Sequence, residues 1–252
     1  MNRTWFKSVI ISVSSFITAS LWAAVSHSSL ISLKYDSWEI LYNCEKRGYE
    51  FFQYSTSPNS GDLKRFKPFH QESRLPKRCQ QFSTGTYKLP KGSKISYDRG
   101  HGGKHQNLVD FDIDIMMQTN SMANIVPQAS KLNRSGAWRE TEVLTQCWRE
   151  YGTITVYGGN IWGNDSTNDH FLKSHGVVTP DYMYKVIKFH DGVVNAWIFP
   201  NDNRPRKGNM NDYLVSPKKI SDITGFQFDI EKSEFIEKDT EGRVRPKYCS
   251  LK

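Results

Sequence analysis

One stretch of the chain, AWRETEVLTQCWREYG, is periodic in a way that only a helix satisfies. Ala137, Thr141, Leu144, Trp148 and Tyr151 recur at steps of four and three, one face of an α-helix, and Gly152 follows as a stop. The other regular segments read as short and extended: KISYD (94–98), MANIV (122–126, ended by Pro127), TITVYGG (153–159), YMYKVIKF (182–189) and NAWIFPN (195–201). Short strands around one strong helix imply an α+β fold, with a mostly antiparallel central sheet and that helix packed beside it. SPKKISDITGFQF adds a short helix capped by Ser216 or Ser221, and Thr56 to Arg78 reads mainly as loop. With no repeats or low-complexity tracts, residues 30–252 read as a single domain.

Residues 1–26 differ from the rest. Arg3 and Lys7 precede an apolar run from Val9 to Ala24, and Ala24 and Ser26 offer a small-x-small cleavage site. This is the pattern of a signal peptide, and its removal would leave no membrane segment. The formal net charge is +8, and Arg3 and Lys7 are the leader's only charges, so six remain afterwards. A positive surplus favours polyanionic partners. Cys44, Cys79, Cys147 and Cys249 all follow the leader. In an oxidising compartment four cysteines make two bridges by one of three connectivities. The arrangement favoured pairs Cys44 with Cys79 and Cys147 with Cys249, the second tying down the C-terminal tail. No C-x-x-C supports a structural zinc site.

The chemistry concentrates in YDRGHGGKHQN, residues 97–107. Arg99 offers a rigid fork of donors suited to phosphate oxygens. His101 can take a proton near neutral pH. Gly100 would let backbone approach a ligand, and Gly102 and Gly103 open a loop. A phosphodiester cleaved by water needs such parts, a base for the water and a cation for the phosphate, and usually a metal. Read blandly, Asp98 and Arg99 make a salt-bridged surface turn. The i, i+4 pair His101 and His105 suits a metal only on a helix, which the intervening glycines oppose. Downstream, NIVPQASKLNRSGAWRETE (124–142) offers oxygen donors: Asn133 could supply an amide oxygen to Mg²⁺ and Glu142 could hold a water on it. Alternatively Asn133 caps the helix and Glu142 lies on its solvated face.

YDRGH, TNSMANIVPQ and LNRSGAWRETE, in this order and spacing, resemble the DNA/RNA non-specific endonucleases, the ββα-metal nucleases. YNCEKRGYEFFQY upstream, with TVYGGNIWG and HGVVTPDYMYKVI downstream, extends the likeness over about residues 35–225. The resemblance implies a Mg²⁺-dependent endonuclease, with Mn²⁺ as a tolerated substitute, acting on DNA and RNA to leave 5′-phosphate and 3′-hydroxyl ends. It implies His101 as general base, Asn133 as the one direct metal ligand, Arg99 on the phosphate, Glu142 orienting water on the metal, and Asn124 supporting the site. Asp98, Arg65 and Lys104 are the further substrate-binding candidates. With the leader and cystines, the expected location is secreted or periplasmic.

Two departures qualify the match. Family members often follow DRGH with an apolar residue and a proline; here GGKHQN stands instead. One extra residue also separates Asn133 from Trp138. A helix unbroken from Asn133 would put Glu140 on its face; anchoring on Gly136-Ala137-Trp138 selects Glu142. An inert nuclease-like binding module and a small-substrate phosphodiesterase are the competing functions. An inhibitor protein or a homodimer is left open.

Overall fold

The computed structural model describes residues 29–56, 58, 63, 68–103, 112–230, 242–247 and 249. The proposed leader, Arg65, Lys104 and His105 lie outside the described residues.

Among the described residues seven strands form one sheet in the order β1-β2-β3-β6-β7-β8-β9, and β4 and β5 form a separate two-stranded ribbon. Their bounds are β1 Leu30–Lys34, β2 Trp38–Asn43, β3 Gly48–Ser55, β4 Tyr97–His101, β5 Ile125–Ala129, β6 Thr155–Ile161, β7 Tyr182–Lys188, β8 Val194–Pro200 and β9 Leu214–Val215. Every strand pairing is antiparallel, as the sequence reading expects. Among the described residues four α-helices accompany them: α1 Ile113–Thr119, α2 Ser130–Arg134, α3 Ala137–Trp148 and α4 Pro217–Thr224.

The sheet is covered on both faces. One face packs against the larger core, which includes Phe52, Trp138, Leu144, Ile187 and Trp197 and the inward residues of the ribbon, Ile125 and Val126. The other carries a smaller cluster of Phe51, Tyr157, Tyr184, Ile220 and Phe228. Central strands buried on both faces lose the apolar–polar alternation of a half-exposed strand, and β7 has five consecutive buried residues. Turn chemistry sets the hairpin between β2 and β3: Asn43 Oδ1 accepts from the backbone N–H of Glu45 and Lys46, at 3.0 Å each, and Arg47 takes a positive φ of 53°.

The strong helix is α3, continued by a 3-10 turn over Arg149–Tyr151 and ended at Gly152, whose φ is 156°. Ser216, not Ser221, caps α4 by accepting from Lys219 N–H, and Gly225 closes the helix at φ 76°. Three expectations change, and the first concerns the strand expected over 94–98, which forms instead at Tyr97–His101 as β4. The strand expected over 122–126 is displaced to 125–129, after a 3-10 turn, and runs through Pro127. Proline is accommodated because β5 pairs only with β4, so no second ladder needs its N–H. The first three strands and α1 carry no strand or helix assignment in the sequence reading. Both cystines, Cys44–Cys79 and Cys147–Cys249, are formed as favoured.

Candidate active site

The ribbon and the helix after it form one continuous ββα unit. β4 holds the whole YDRGH motif, β5 returns antiparallel beside it with Arg99 opposite Pro127 and His101 opposite Ile125, and α2 follows directly with Asn133. Alternation along β4 divides the motif between two faces. Arg99 and His101 both lie against Phe69: the guanidinium carbon is 3.7 Å from the ring centroid and the imidazole 5.5 Å. Asp98 instead turns toward α2.

His101 is oriented by Asn120, which sequence reasoning missed. Asn120 is 1% exposed. Its Nδ2 donates to the Pro68 carbonyl at 3.2 Å, which leaves Oδ1 to meet His101 Nε2 at 3.2 Å. An amide oxygen only accepts, so Nε2 carries the proton and Nδ1 is the basic nitrogen of the neutral ring. Arg99 is fixed from the other side, as its Nη1 donates to the Thr84 carbonyl at 2.8 Å.

Asp98 collects three donors: Ser130 Oγ at 3.0 Å, Asn133 Nδ2 at 3.0 Å, and Arg134 through Nε at 2.8 Å and Nη2 at 2.5 Å. Burial alone would raise this carboxyl. The hydrogen bonds from Arg134, Asn133 and Ser130 outweigh it and hold the group below the usual carboxylate range. Asp98 is therefore an anion that ties β4 to α2 and fixes the amide of Asn133. With Nδ2 committed, the carbonyl oxygen of Asn133 is the atom available to a hard cation. Oxygen from Asn133 and from Glu142 is the donor chemistry that Mg²⁺ prefers, so the residues fit such an ion. No cluster of three His, Cys, Asp or Glu suited to a metal occurs among the described residues.

Asn124 is fully buried and binds no surface group. Its Nδ2 donates to the carbonyls of Gly103 (2.7 Å) and Thr119 (2.8 Å), and its Oδ1 accepts from Gly103 N–H at 2.9 Å. It holds the backbone that leaves β4 just after His101. Gly100 has a role other than approach to a ligand: a Cβ there would lie 2.4 Å from Gln128 Cβ across the ribbon. The glycine is required by protein packing.

The chain breaks its helix between Asn133 and the glutamates. Ser135 (φ −144°, ψ 0°) and Gly136 (φ −90°, ψ −162°) separate α2 from α3. Glu140 pairs with Arg245, whose Nε donates to Oε1 at 2.6 Å, and with Lys207 at 3.8 Å. Glu142 is 3% exposed and accepts from Arg139 at 3.1 Å. Deeper in, Lys185 on β7 is 1% exposed, donates to Thr141 Oγ1 at 3.0 Å and lies 3.6 Å from the Trp138 ring centroid.

An antiparallel α+β frame presenting a histidine and an asparagine from one ββα unit defines a class of phosphodiester-cleaving enzymes, and comparison with known proteins agrees. A solved structure of the EndoG/EndoGI complex, concerned with how EndoG is inhibited, has the same fold: TM-score 0.65 at 17% identity, covering 81% of this chain and 88% of that one. No curated protein matches the chain. The model of the DNA/RNA non-specific endonucleases matches residues 24–235, and the chain belongs to that family. It is accordingly a nuclease of a metal-dependent kind.

Proposed function

We propose that this chain is an exported, Mg²⁺-dependent endonuclease that hydrolyses DNA and RNA without sequence specificity, leaving 5′-phosphate and 3′-hydroxyl ends. The observation that carries the reading is the ββα unit itself: one five-residue strand bears a histidine of defined tautomer and the aspartate that fixes Asn133.

His101 takes the proton of the attacking water at Nδ1 while Asn120 keeps the ring turned. Arg99, braced by the Thr84 carbonyl and Phe69, grips the phosphate beside the scissile bond. Asn133 would hold the cation through Oδ1, and Glu142 through an intervening water. Glu142 is favoured over Glu140 because the helix break removes the register that would select Glu140, and Arg245 and Lys207 already engage that residue. The cation, when bound, supplies positive charge where the departing 3′-oxygen gains negative charge. Asn124 and Asp98 are positioning residues. Arg65 and Lys104 remain candidate phosphate contacts from the sequence alone. Contacts to phosphate and metal read no base, which gives non-specificity. A leader over residues 1–26, a single domain over 30–252 and two cystines together favour a secreted or periplasmic location.

The test is plasmid nicking by the mature protein with Mg²⁺ and with EDTA, beside His101→Ala. Cleavage should need the metal and fall by about 10²–10⁴-fold without the general base. Binding without cleavage under every condition would discard the nuclease reading; full cleavage by His101→Ala would discard the assigned base.

A further inference from the structure

Phe82 is the most exposed aromatic side chain among the described residues, at 62%. An apolar ring so exposed is ordinarily free to move, but this one has a rigid backing. The Arg47 guanidinium lies over it, 4.5 Å from the ring centroid. That guanidinium is itself pinned: Nη1 donates to the Gly176 carbonyl at 2.9 Å, and Nε and Nη2 donate to the Arg78 carbonyl at 3.3 and 3.1 Å. Phe82 N–H donates to the His175 carbonyl at 2.8 Å. The Cys44–Cys79 cystine joins the two segments, each cysteine standing three residues before its member of the stack.

The position connects this ring to the candidate site. Two residues further on, the Thr84 carbonyl anchors Arg99, so at most about 7 Å of backbone separates the ring's residue from the anchor of the phosphate-gripping arginine. The Arg47 guanidinium and Gly176 cover part of the ring, and the surface that stays exposed is one on which a nucleobase can stack whatever its identity.

We propose that Phe82, backed by Arg47, is a stacking platform for an unpaired nucleobase next to the phosphate held by Arg99. This rests on the nuclease reading of the site and adds what that reading lacks, a contact to the bases. Bases inside a duplex are stacked on their neighbours, so the platform favours single-stranded or locally opened substrate.

The experiment compares wild type, Phe82→Ala and Phe82→Trp, with His101→Ala as the inactive reference. The substrates are a single-stranded oligonucleotide and a strand of equal length built from stable tetrahydrofuran abasic units. The readout is the ratio of kcat/KM for the base-carrying strand to that for the abasic strand. Phe82→Ala should lower this ratio by roughly ten- to a hundredfold, and Phe82→Trp should restore it. An unchanged ratio in Phe82→Ala, with wild type cleaving both strands, would overturn the platform and leave the nuclease reading standing. An equal loss on both strands would also overturn it, since that is the signature of a structural role. Wild type that cleaves neither strand would remove the nuclease reading and the platform with it.

Discussion

Asn120 Nδ2 donates to the Pro68 carbonyl, which turns Oδ1 toward His101. Asn120→Asp keeps the shape but places a negative charge beside Nε2. A carboxylate there favours the protonated ring, so His101 would lose its proton only at higher pH. The acidic limb of the pH–rate profile should move upward; an unshifted limb would show that Nε2 does not face this residue during turnover. Asn124 supports the same loop by different means. Asn124→Ala strands two backbone carbonyls and one N–H in the interior and should cost at least about 2 kcal/mol in urea unfolding. Away from the site, Glu72 shows the same economy of polar groups. Burial would raise it, but hydrogen bonds from Arg74 and Tyr35 bring it down to about 2. A depressed carboxyl contributes stability above its unfolded value, near 4.3, and loses it as pH falls toward the folded value. Wild-type Tm should therefore drop between about pH 4 and pH 2, and Glu72→Gln should flatten that part of the curve.

At the scale of elements, the joint between α2 and α3 determines how the site is assembled. A Cβ on Gly136 would lie 2.6 Å from the Pro205 carbonyl oxygen and 2.7 Å from that of Lys131. Both are backbone atoms, so the joint itself would have to move. Gly136→Ala should cost roughly 1–3 kcal/mol and weaken Mg²⁺ binding, read by isothermal titration, because α2 carries Asn133. Unchanged metal affinity in a folded variant would separate this joint from the metal site. The sequence made α3 legible because its buried face repeats with the helical period, and β6, β7 and β8 because they are apolar runs bounded by turns. It left β1, β2 and β3 unassigned, although Trp38–Asn43 alternates between buried and half-buried residues over its first four positions. It missed α1 as well, a helix of only seven residues, although Asp112 accepts from the N–H groups of Asp114 and Ile115 as a regular cap. His101 and Asn133 stood out as residue types suited to the proposed chemistry, whereas Asp98, read as a substrate contact, has its carboxylate engaged by Ser130, Asn133 and Arg134. Asn120, Thr84 and Phe69 were not, since an ordinary side chain or carbonyl becomes a brace only when distant segments meet.

For the whole molecule, two cystines and a positive surplus lead to separate expectations. Cys147–Cys249 spans 102 residues of sequence and ties α3 to the tail that also carries Arg245. A loop of that length corresponds to a stabilisation of roughly 4–5 kcal/mol in the chain-entropy account. Replacing both cysteines with serine should lower the urea midpoint accordingly, and a midpoint within error of wild type would show that the tail holds without its bridge. The positive surplus, six once Arg3 and Lys7 leave with the proposed leader, should make cleavage of plasmid fall with rising salt, as a log–log slope fixed by the number of phosphates contacted. A flat response would place the basic residues away from the substrate path.

The break at Ser135 and Gly136 has one more consequence. In an unbroken helix, adding one residue between Asn133 and Glu142 would swing the glutamate about 100° around the axis. Here the two residues stand on separate rods, and the connecting pair works as an expansion joint that takes up length without passing rotation across. The proposed pair Asn133 and Glu142 can therefore keep its aim when one residue is gained or lost at the joint, so an extra residue there is no sign of a damaged site.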